Sequence, residues 1–249
     1  MIEIIELIKK FGELIAVDHL NLEIKSGEFF AVLGPNAAGK TTTLKILAGL
    51  MKPSSGIARI NGFDVQTHPL DARRQMAFVP DFPFLYDKLT PWEFFRFTGQ
   101  LFGMPAVLIE SGARKLTERF SLEPYLNKPI EGLSHGTKQR VAIVSALLHE
   151  PKVFIIDEPM VGLDPQHARV VKETLKERSR EGMTVLVSTH QLSVAEEMAD
   201  RIGIMHLGRL VAVGTADELR RESGEGPLED VFLALTRQEQ KTGSEKTSK

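Results

Sequence analysis

Residues 34–41 read Gly34-Pro35-Asn36-Ala37-Ala38-Gly39-Lys40-Thr41 and match the pattern G-x-x-x-x-G-K-[ST]. The apolar run 29–33 before this stretch predicts a buried strand, and residues 42–50 after it predict a helix. In that setting the backbone N–H groups of the loop and the positive end of the helix dipole face an anion. The stretch therefore predicts a phosphate-binding loop at the centre of an α/β fold.

The residue types within this loop predict distinct roles. Its two glycines allow close approach of the backbone to phosphate, and Lys40 can reach the β- and γ-phosphates. Thr41 can hold Mg²⁺. Ala37 stands where such loops often have glycine, so the position must avoid positive φ or carry strain. The predicted phosphate-binding residues are Gly34, Pro35, Asn36, Ala37, Ala38, Gly39, Lys40, Thr41 and Thr42.

The composition of the 249 residues excludes several classes of protein. With 31 basic and 33 acidic residues the net charge is −2, so no global basic field recruits nucleic acid or anionic lipid. The chain has no cysteine, which excludes disulfides, thiolate catalysis and cysteine-based zinc sites. No apolar run approaches 18 residues and the N-terminus is acidic, so we expect a cytoplasmic protein that does not itself cross a membrane.

Hydrophobic patterning predicts one domain over residues 1–238. Residues 1–81 and 149–215 are expected to form an α/β core, with strands at 2–8, 21–24 and 76–79 as well as 29–33. Phe11 falls in the predicted loop between the first two strands. Residues 82–148 hold most of the aromatic side chains and predict an inserted helical lobe. Residues 216–238 predict C-terminal helices, and the polar tail 239–249 predicts disorder.

A second set of candidate residues ends the predicted strand at 152–158. Asp157 stands where a carboxylate beside a phosphate-binding loop can hold Mg²⁺. Glu158 would then face the γ-phosphate and act as the general base for an attacking water. A strand that runs into an acidic turn is common, so this signal gains its weight from the loop that precedes it.

A third set opens a predicted helix at Leu133-Ser134-His135-Gly136-Thr137-Lys138-Gln139-Arg140. Ser134 can cap this helix, and the N–H of Gly136 can remain exposed at its start. Together they predict a second anion-binding helix N-terminus, although an ordinary capped helix has the same appearance.

The order of these motifs, continued by GLDP at 162–165 and STH at 188–190, resembles that of an ABC-type ATPase subunit over residues 2–237. The resemblance implies a P-loop NTPase core with a mostly parallel sheet, an N-terminal antiparallel β region and an inserted helical lobe. It also implies that two copies pair head to tail around two ATP molecules. Ser134 and Gly136 of one copy would complete the γ-phosphate site of the other.

The same resemblance implies roles for individual residues. Phe11 matches the aromatic residue that stacks on adenine, and His190 matches the histidine that contacts the γ-phosphate and helps to orient water. Asp164 matches the loop acid that links the two sites across the dimer. Asp81 stands where the family usually has glutamine in contact with Mg²⁺ and water. Because aspartate is shorter than glutamate and charged where glutamine is neutral, direct contact with the metal is left open there, with a water-bridged contact as the alternative.

The chain departs from the family pattern at two positions of the stretch 133–140. His135 replaces the usual glycine, and Thr137 replaces the usual glutamine. We interpret His135 as a solvent-facing helix residue.

The segment Phe82–Tyr86 allows two interpretations. Its aromatic rings either pack the lobe against the core or form a groove for a helix of a membrane permease, and the two are compatible.

The end of the chain, residues 227–236, resembles that of exporter subunits. We therefore predict an ATP- and Mg²⁺-dependent ATPase that dimerises and energises a separate permease at the inner face of the membrane, for export, with no nucleic-acid partner. Two alternatives remain. One is a soluble ABC ATPase acting outside transport, and the other is a nucleotide-binding module with impaired hydrolysis, suggested by Ala37 and Asp81.

Overall fold

The computed structural model describes residues 1–222, 228–230 and 232–233. Within these residues the chain forms ten strands. They are β1 (Ile2–Phe11), β2 (Leu14–Ile24), β3 (Phe29–Leu33), β4 (Ser55–Ile60), β5 (Phe63–Asp64), β6 (Met76–Val79), β7 (Val153–Asp157), β8 (Thr184–Thr189), β9 (Arg201–His206) and β10 (Arg209–Gly214).

The described part of the chain also contains eight α-helices and two short 3₁₀ helices. The α-helices are α1 (Lys40–Leu47), α2 (Pro69–Arg74), α3 (Pro91–Leu101), α4 (Ala106–Arg119), α5 (His135–Leu147), α6 (Pro165–Arg180), α7 (Leu192–Met198) and α8 (Ala216–Glu222). The 3₁₀ helices are Glu123–Tyr125 and Ile130–Gly132.

The strands form two sheets. The larger has the order β10-β9-β3-β8-β7-β6 and is parallel except for the edge strand β10. The smaller is antiparallel, with the order β2-β1-β4-β5. All residues of β3 are buried, as expected for a central strand of a parallel sheet that is covered on both faces.

The two faces of β3 belong to different parts of the core because side chains alternate along a strand. Phe30 and Val32 pack in the cluster that joins the antiparallel sheet and α1. Ala31 and Leu33 pack in a cluster with residues of α7, β9 and α8. β3 therefore lies between two parts of the core, one on each of its faces.

The helical lobe consists of α3, α4 and α5. Thr90 and Glu93 form a capping box at the start of α3, where each side chain bonds the backbone N–H of the other residue. Phe95 and Phe120 are fully buried in the cluster that joins the lobe to β6, β7 and β8. The lobe and the parallel sheet therefore share a core.

The register of the parallel sheet brings three chain segments to one edge. Leu33 at the end of β3 pairs with Thr189, and Asp157 at the end of β7 pairs with Ser188. Ligands of open parallel sheets bind beyond the carboxyl ends of the strands, so this edge is the expected place for a site.

The predicted α/β class, with its mostly parallel sheet, antiparallel N-terminal region and helical lobe, is confirmed. The structure corrects some boundaries. The helix after the phosphate loop spans Lys40–Leu47 and not 42–50, and β2 begins at Leu14 and not at residue 21. Phe11 is the last residue of β1 and not a loop residue.

Parts of the C-terminal prediction lie outside the described residues. Residues 228–230 and 232–233 are helical, but the remainder of the helix expected to end at 237 and the tail 239–249 are not described. In the portions of the chain that are described, no helix has both the length and the apolar character needed to span a membrane. The predicted division into domains stays a prediction.

Candidate nucleotide site

A cavity of about 420 Å³ lies at the carboxyl edge of the parallel sheet. Its lining has a polar part, formed by the phosphate loop with Asp81, Asp157 and Glu158, and an apolar part that includes Phe11; these are called its polar and apolar ends. The structure thus brings together residues from four separate stretches of the chain. The lining residues from the predicted set are Phe11, Asn36, Ala37, Ala38, Gly39, Lys40, Thr41, Thr42, Asp81, Asp157 and Glu158.

Both glycines of the phosphate loop are required by space. A Cβ on Gly34 would lie 2.4 Å from the carbonyl oxygen of Met205, and one on Gly39 would lie 2.4 Å from that of Ala16. Gly39 also has φ of 102°, which side chains rarely adopt. The loop is therefore packed against the neighbouring strand and hairpin.

Ala37 adopts φ of 65°, the left-handed conformation. Of the two possibilities stated from the sequence, positive φ with strain is the one found. The left-handed region costs an L-residue about 1–2 kcal/mol relative to the right-handed one. The loop therefore keeps its shape at this position without glycine.

Lys40 is buried, and its ammonium group is held by the loop itself. Nζ donates to the carbonyl oxygen of Gly34 at 2.6 Å and to that of Pro35 at 3.0 Å. Burial lowers the pKa of Lys40, while the negative charges of Glu158 and Asp157 act in the opposite direction. A phosphate that enters the loop would offer this ammonium a charged acceptor in place of two neutral ones.

Asp157 is nearly fully buried and is held by two hydroxyl groups. Thr41 Oγ1 donates to Oδ2 at 2.7 Å, and Ser188 Oγ donates to Oδ1. The sheet register places Ser188 directly beside Asp157, so the carboxylate is oriented from the neighbouring strand. Thr41 and Asp157, the two predicted metal ligands of the loop and of β7, are thus in direct contact.

Glu158 and His190 form a pair beside this carboxylate. Oε1 of Glu158 lies 2.7 Å from Nδ1 of His190, and Oε2 accepts from Thr189 Oγ1 at 3.3 Å. Since an ionised carboxylate only accepts hydrogen bonds, Nδ1 is the donor. Glu158 has φ of 47°, so the backbone at the end of β7 adopts a strained left-handed conformation at this residue.

Asp81 carries the clearest sign of an incomplete environment. Its Oδ1 atom is buried and has no hydrogen-bond partner among the described residues. Burial raises the pKa of Asp81, and the charge of Asp157 adds to this, whereas His135 and His190 lower it. A carboxyl oxygen in this position is suited to receive a water, a proton or a cation.

Phe11 is half exposed at the apolar end of the cavity. The ammonium of Lys9 lies 4.9 Å from its ring centroid, which is within the range of a cation–π contact. The ammonium of Lys9 therefore lies over one face of the Phe11 ring at the end of β1.

The candidate residues at the start of α5, Ser134 and Gly136, lie outside this cavity. Ser134 caps α5 by accepting from the N–H of Thr137 at 3.3 Å. A Cβ on Gly136 would lie 2.3 Å from the carbonyl oxygen of Gly162, so only glycine fits. Among the described residues, neither Ser134 nor Gly136 lines the nucleotide cavity of its own chain, and Asp164 does not line it either.

The comparisons with known proteins agree with this arrangement. The family model described as "ABC transporter" matches residues 17–161, which include the phosphate loop, α5 and β7. This chain belongs to the ABC transporter family.

Two curated relatives of this ABC subunit illustrate the likeness. The probable multidrug ABC transporter ATP-binding protein YbhF of Escherichia coli is 37% identical over 240 residues, covering 94% of this chain. The chain spans only 41% of the length of that relative. The Nod factor export ATP-binding protein I of Ralstonia nicotianae is 36% identical over 211 residues, covering 85% of this chain and 66% of the relative.

Solved structures show the same fold as this ABC subunit. One, titled as the ATP-binding subunit of an ABC transporter, has a TM-score of 0.90 at 36% identity and covers 95% of this chain and 99% of that chain. Another is the dimeric ATP-binding cassette MJ0796 in a post-hydrolysis state with ADP and Pi. It has a TM-score of 0.80 at 29% identity and covers 86% of this chain and 98% of that one.

The first turn of α5 is partly buried, and His135 packs against two neighbouring segments. The ring centroid of His135 lies 5.6 Å from that of Phe82, and a Cβ on Gly162 would lie 2.3 Å from His135 Cδ2. His135 is half-buried, so its interpretation as a solvent-facing residue holds only in part. It joins the aromatic segment to the loop before α6.

Asp164 is an exposed helix cap. Its carboxylate accepts from the N–H of His167 at 3.0 Å and lies 2.5 Å from the Nδ1 atom of that residue. The hydrogen bond from the backbone N–H of His167, and after it the one from the His167 side chain, lowers the pKa of Asp164. The side chain remains ionised and available at the surface.

The aromatic segment Phe82–Tyr86 is partly packed and partly exposed. Tyr86 packs edge-on against Phe97 of α3 at 5.3 Å, so part of the segment packs on the helical lobe. Phe84 is 90% exposed and borders a groove of about 300 Å³ that continues to Phe102 and His149. The segment therefore both packs the lobe and leaves an apolar groove open.

Sequence reasoning missed several contributors to the nucleotide cavity. Leu14, Ile15, Ala16 and Leu207 line its apolar end. Leu207 gives no motif signal because it reaches the cavity from the tip of the β9–β10 hairpin. The hydrogen bond that Ser188 donates to Asp157 was also not expected, although the motif at 188–190 was recognised.

Proposed function

We propose that this chain is the ATP-binding and ATP-hydrolysing subunit of an ABC transporter, works as a head-to-tail dimer and energises a separate membrane permease. The observation that carries the proposal is the cavity of about 420 Å³ in which the phosphate loop meets Asp157 and Glu158. Its polar end suits a triphosphate, and its apolar end beside Phe11 suits a base.

ATP binding follows from the state of the loop. Its backbone N–H groups and the N-terminus of α1 would hold the phosphates, and Lys40 would exchange the carbonyls of Gly34 and Pro35 for phosphate oxygens. The predicted phosphate-binding residues are the nine positions from Gly34 to Thr42, with Phe11 stacking on the adenine.

The residues present fit a magnesium ion. Thr41 and Asp157 provide oxygen ligands already in contact, and the orphaned oxygen of Asp81 lines the same cavity. In the described chain no group of three or more His, Asp or Glu side chains could hold a metal alone, so the site would be shared with phosphate oxygens and water, as Mg²⁺ prefers. Bound there, the ion would neutralise phosphate charge.

Hydrolysis is assigned to Glu158 with His190. Glu158 accepts the proton of the attacking water, and the 2.7 Å bond to His190 holds the carboxylate in place. While Nδ1 of His190 donates to Glu158, its Nε2 carries a proton only in the imidazolium form. A contact from Nε2 to the γ-phosphate therefore requires either the imidazolium or a ring that has released Glu158.

Dimerisation would complete the site. Ser134 and Gly136 present a capped helix N-terminus outside the cavity of their own chain, and a second copy would place it on the γ-phosphate. Asp164 would act at the same interface, beside Gly162 and the start of α5. ATP-driven closure would then precede hydrolysis, and reopening would follow it.

The partner surface is assigned to Phe82–Tyr86 and the adjoining groove. Exposed aromatic residues beside Asp81 would couple nucleotide state to the position of a permease helix at the membrane. Transport is assigned to export because one of the relatives above is described as a Nod factor export ATP-binding protein and another as a probable multidrug ABC transporter ATP-binding protein. A net charge of −2 gives no support to a nucleic-acid partner.

The test is ATP turnover by purified wild-type protein and the Glu158→Gln variant. Loss of the general base is expected to lower turnover about 10²–10⁴-fold, while ATP binding persists and ATP-dependent dimers accumulate. Glu118→Gln, an exposed acid on α4, is the matched control and should match wild type. Near-normal turnover by Glu158→Gln would refute the assigned base, and no turnover by wild type with or without its permease would favour a module with impaired hydrolysis.

A further inference from the structure

The tip of the hairpin between β9 and β10 is strained. It consists of Leu207 and Gly208, with φ of 44° and 81°. Two-residue hairpin loops with positive φ at both positions follow the type I′ pattern, for which Asn-Gly is favoured. Leucine is a clear exception there, because bulky side chains rarely adopt left-handed conformations. Leu207 is also 59% exposed, so burial within the fold does not compensate the strain.

The hairpin tip is attached to the phosphate loop. The N–H of Gly208 donates to the carbonyl oxygen of Ala38 at 3.0 Å, and its own carbonyl accepts from the N–H of Asp18 at 2.9 Å. A Cβ on Gly208 would lie 3.1 Å from the carbonyl oxygen of Ala16. These contacts determine where Leu207 lies relative to the phosphates.

Leu207 lines the apolar end of the nucleotide cavity together with Phe11, Leu14 and Ile15. All four side chains are exposed in the chain as described. They come from the β1–β2 hairpin and the β9–β10 hairpin, so the apolar end is bounded by two separate elements. A planar base that entered between them would bury apolar surface contributed by both.

We propose that Leu207 is a nucleotide-binding residue that contacts the base of the bound triphosphate, from the β9–β10 side of the cavity. Asparagine at this position would suit the left-handed backbone but would not offer the same apolar contact. This inference rests on the proposed ATP site and extends it to a residue outside the recognised motifs.

The test compares ATP with inorganic tripolyphosphate, which offers the phosphates without a base. Binding of each is measured by titration calorimetry with Mg²⁺ for wild type and Leu207→Asn, at a concentration where sedimentation shows monomers. Asparagine tolerates the left-handed region, so the variant is expected to unfold at the same or a higher temperature than wild type. Loss of the contact between the Leu207 side chain and the base is expected to weaken ATP binding about fivefold and to leave tripolyphosphate binding unchanged.

The control is Leu50→Asn, which replaces a similarly exposed leucine (64% exposed) outside the cavity and should bind both ligands as wild type does. Unchanged ATP affinity in Leu207→Asn would overturn the proposal. Equal weakening of both ligands would also overturn it, because it would show an effect through Ala38 on the phosphate loop. If wild type bound tripolyphosphate and ATP equally, the apolar end would hold no base. If it bound neither, the proposed ATP site itself would fail.

Discussion

Replacement of Arg140 by methionine tests how α5, the helix that Ser134 caps, is held in place. The Arg140 guanidinium is 5% exposed and donates to the carbonyl oxygens of Phe120 at 2.7 Å and Ser121 at 3.1 Å. It also reaches the hydroxyl of Thr137 at 3.3 Å. One side chain therefore joins the C-terminal end of α4, where carbonyls lack helix partners, to the first turn of α5.

The magnitude follows from two opposing effects. Each hydrogen bond from a charged donor contributes about 1.5–3 kcal/mol, so the two short ones contribute about 3–6 kcal/mol in gross terms. Burial disfavours the cation, and this lowers the pKa of Arg140, although Tyr125 and Asp164 act in the opposite direction. Methionine fills similar space without that desolvation cost but leaves the carbonyls unpaired. We expect a net loss of about 3 kcal/mol of unfolding free energy from these opposing terms.

The assay is urea and thermal unfolding of wild type, Arg140→Met and Arg140→Lys. For a chain of this size about 3 kcal/mol corresponds to a fall in Tm of about 6–12 °C. Lysine keeps the charge but not the planar fork, so its Tm should lie between the other two. Arg169→Met, which breaks an exposed pair with Glu173, should unfold within about 0.5 kcal/mol of wild type. An Arg140→Met protein as stable as wild type would refute the reasoning, because desolvation would then outweigh the hydrogen bonds.

Two further predictions concern the departures in the nucleotide site. Ala37→Gly removes about 1–2 kcal/mol of left-handed strain but gives the unfolded chain about 0.4–1 kcal/mol more conformational freedom, so urea unfolding should show stabilisation of about 0–1.6 kcal/mol. Marked destabilisation would contradict it. Burial, and to a smaller extent the charge of Asp157, raises the pKa of Asp81 in the folded protein. Ionisation of Asp81 as the pH rises through its ordinary pKa near 3.9 therefore lowers the free energy of unfolding. Asp81→Asn should therefore be more stable than wild type at pH 7, and unfolding curves should converge below about pH 4; an equal gain at pH 3 would exclude this cause.

Local patterns in the chain were sufficient for much of the fold. The loop at 34–41 with an apolar run before it predicted β3 and a helix after the loop, because strand burial and loop glycines leave marks within a few residues. The same holds for β6, predicted at 76–79 and found at Met76–Val79. Errors of one turn, as at the end of α1, arise because tertiary contacts decide where a helix stops.

The sequence alone determined which chemical groups the nucleotide site can contain, since motif residues lie at short spacings along the chain. Only the tertiary structure decided which of them meet. Thr41 and Asp157 are 116 positions apart and come into contact through the register of the parallel sheet. Leu207 enters the cavity through a strained hairpin tip, and His135 packs between Phe82 and Gly162. Such contacts join elements distant in sequence, and packing geometry, which no local pattern records, decides them.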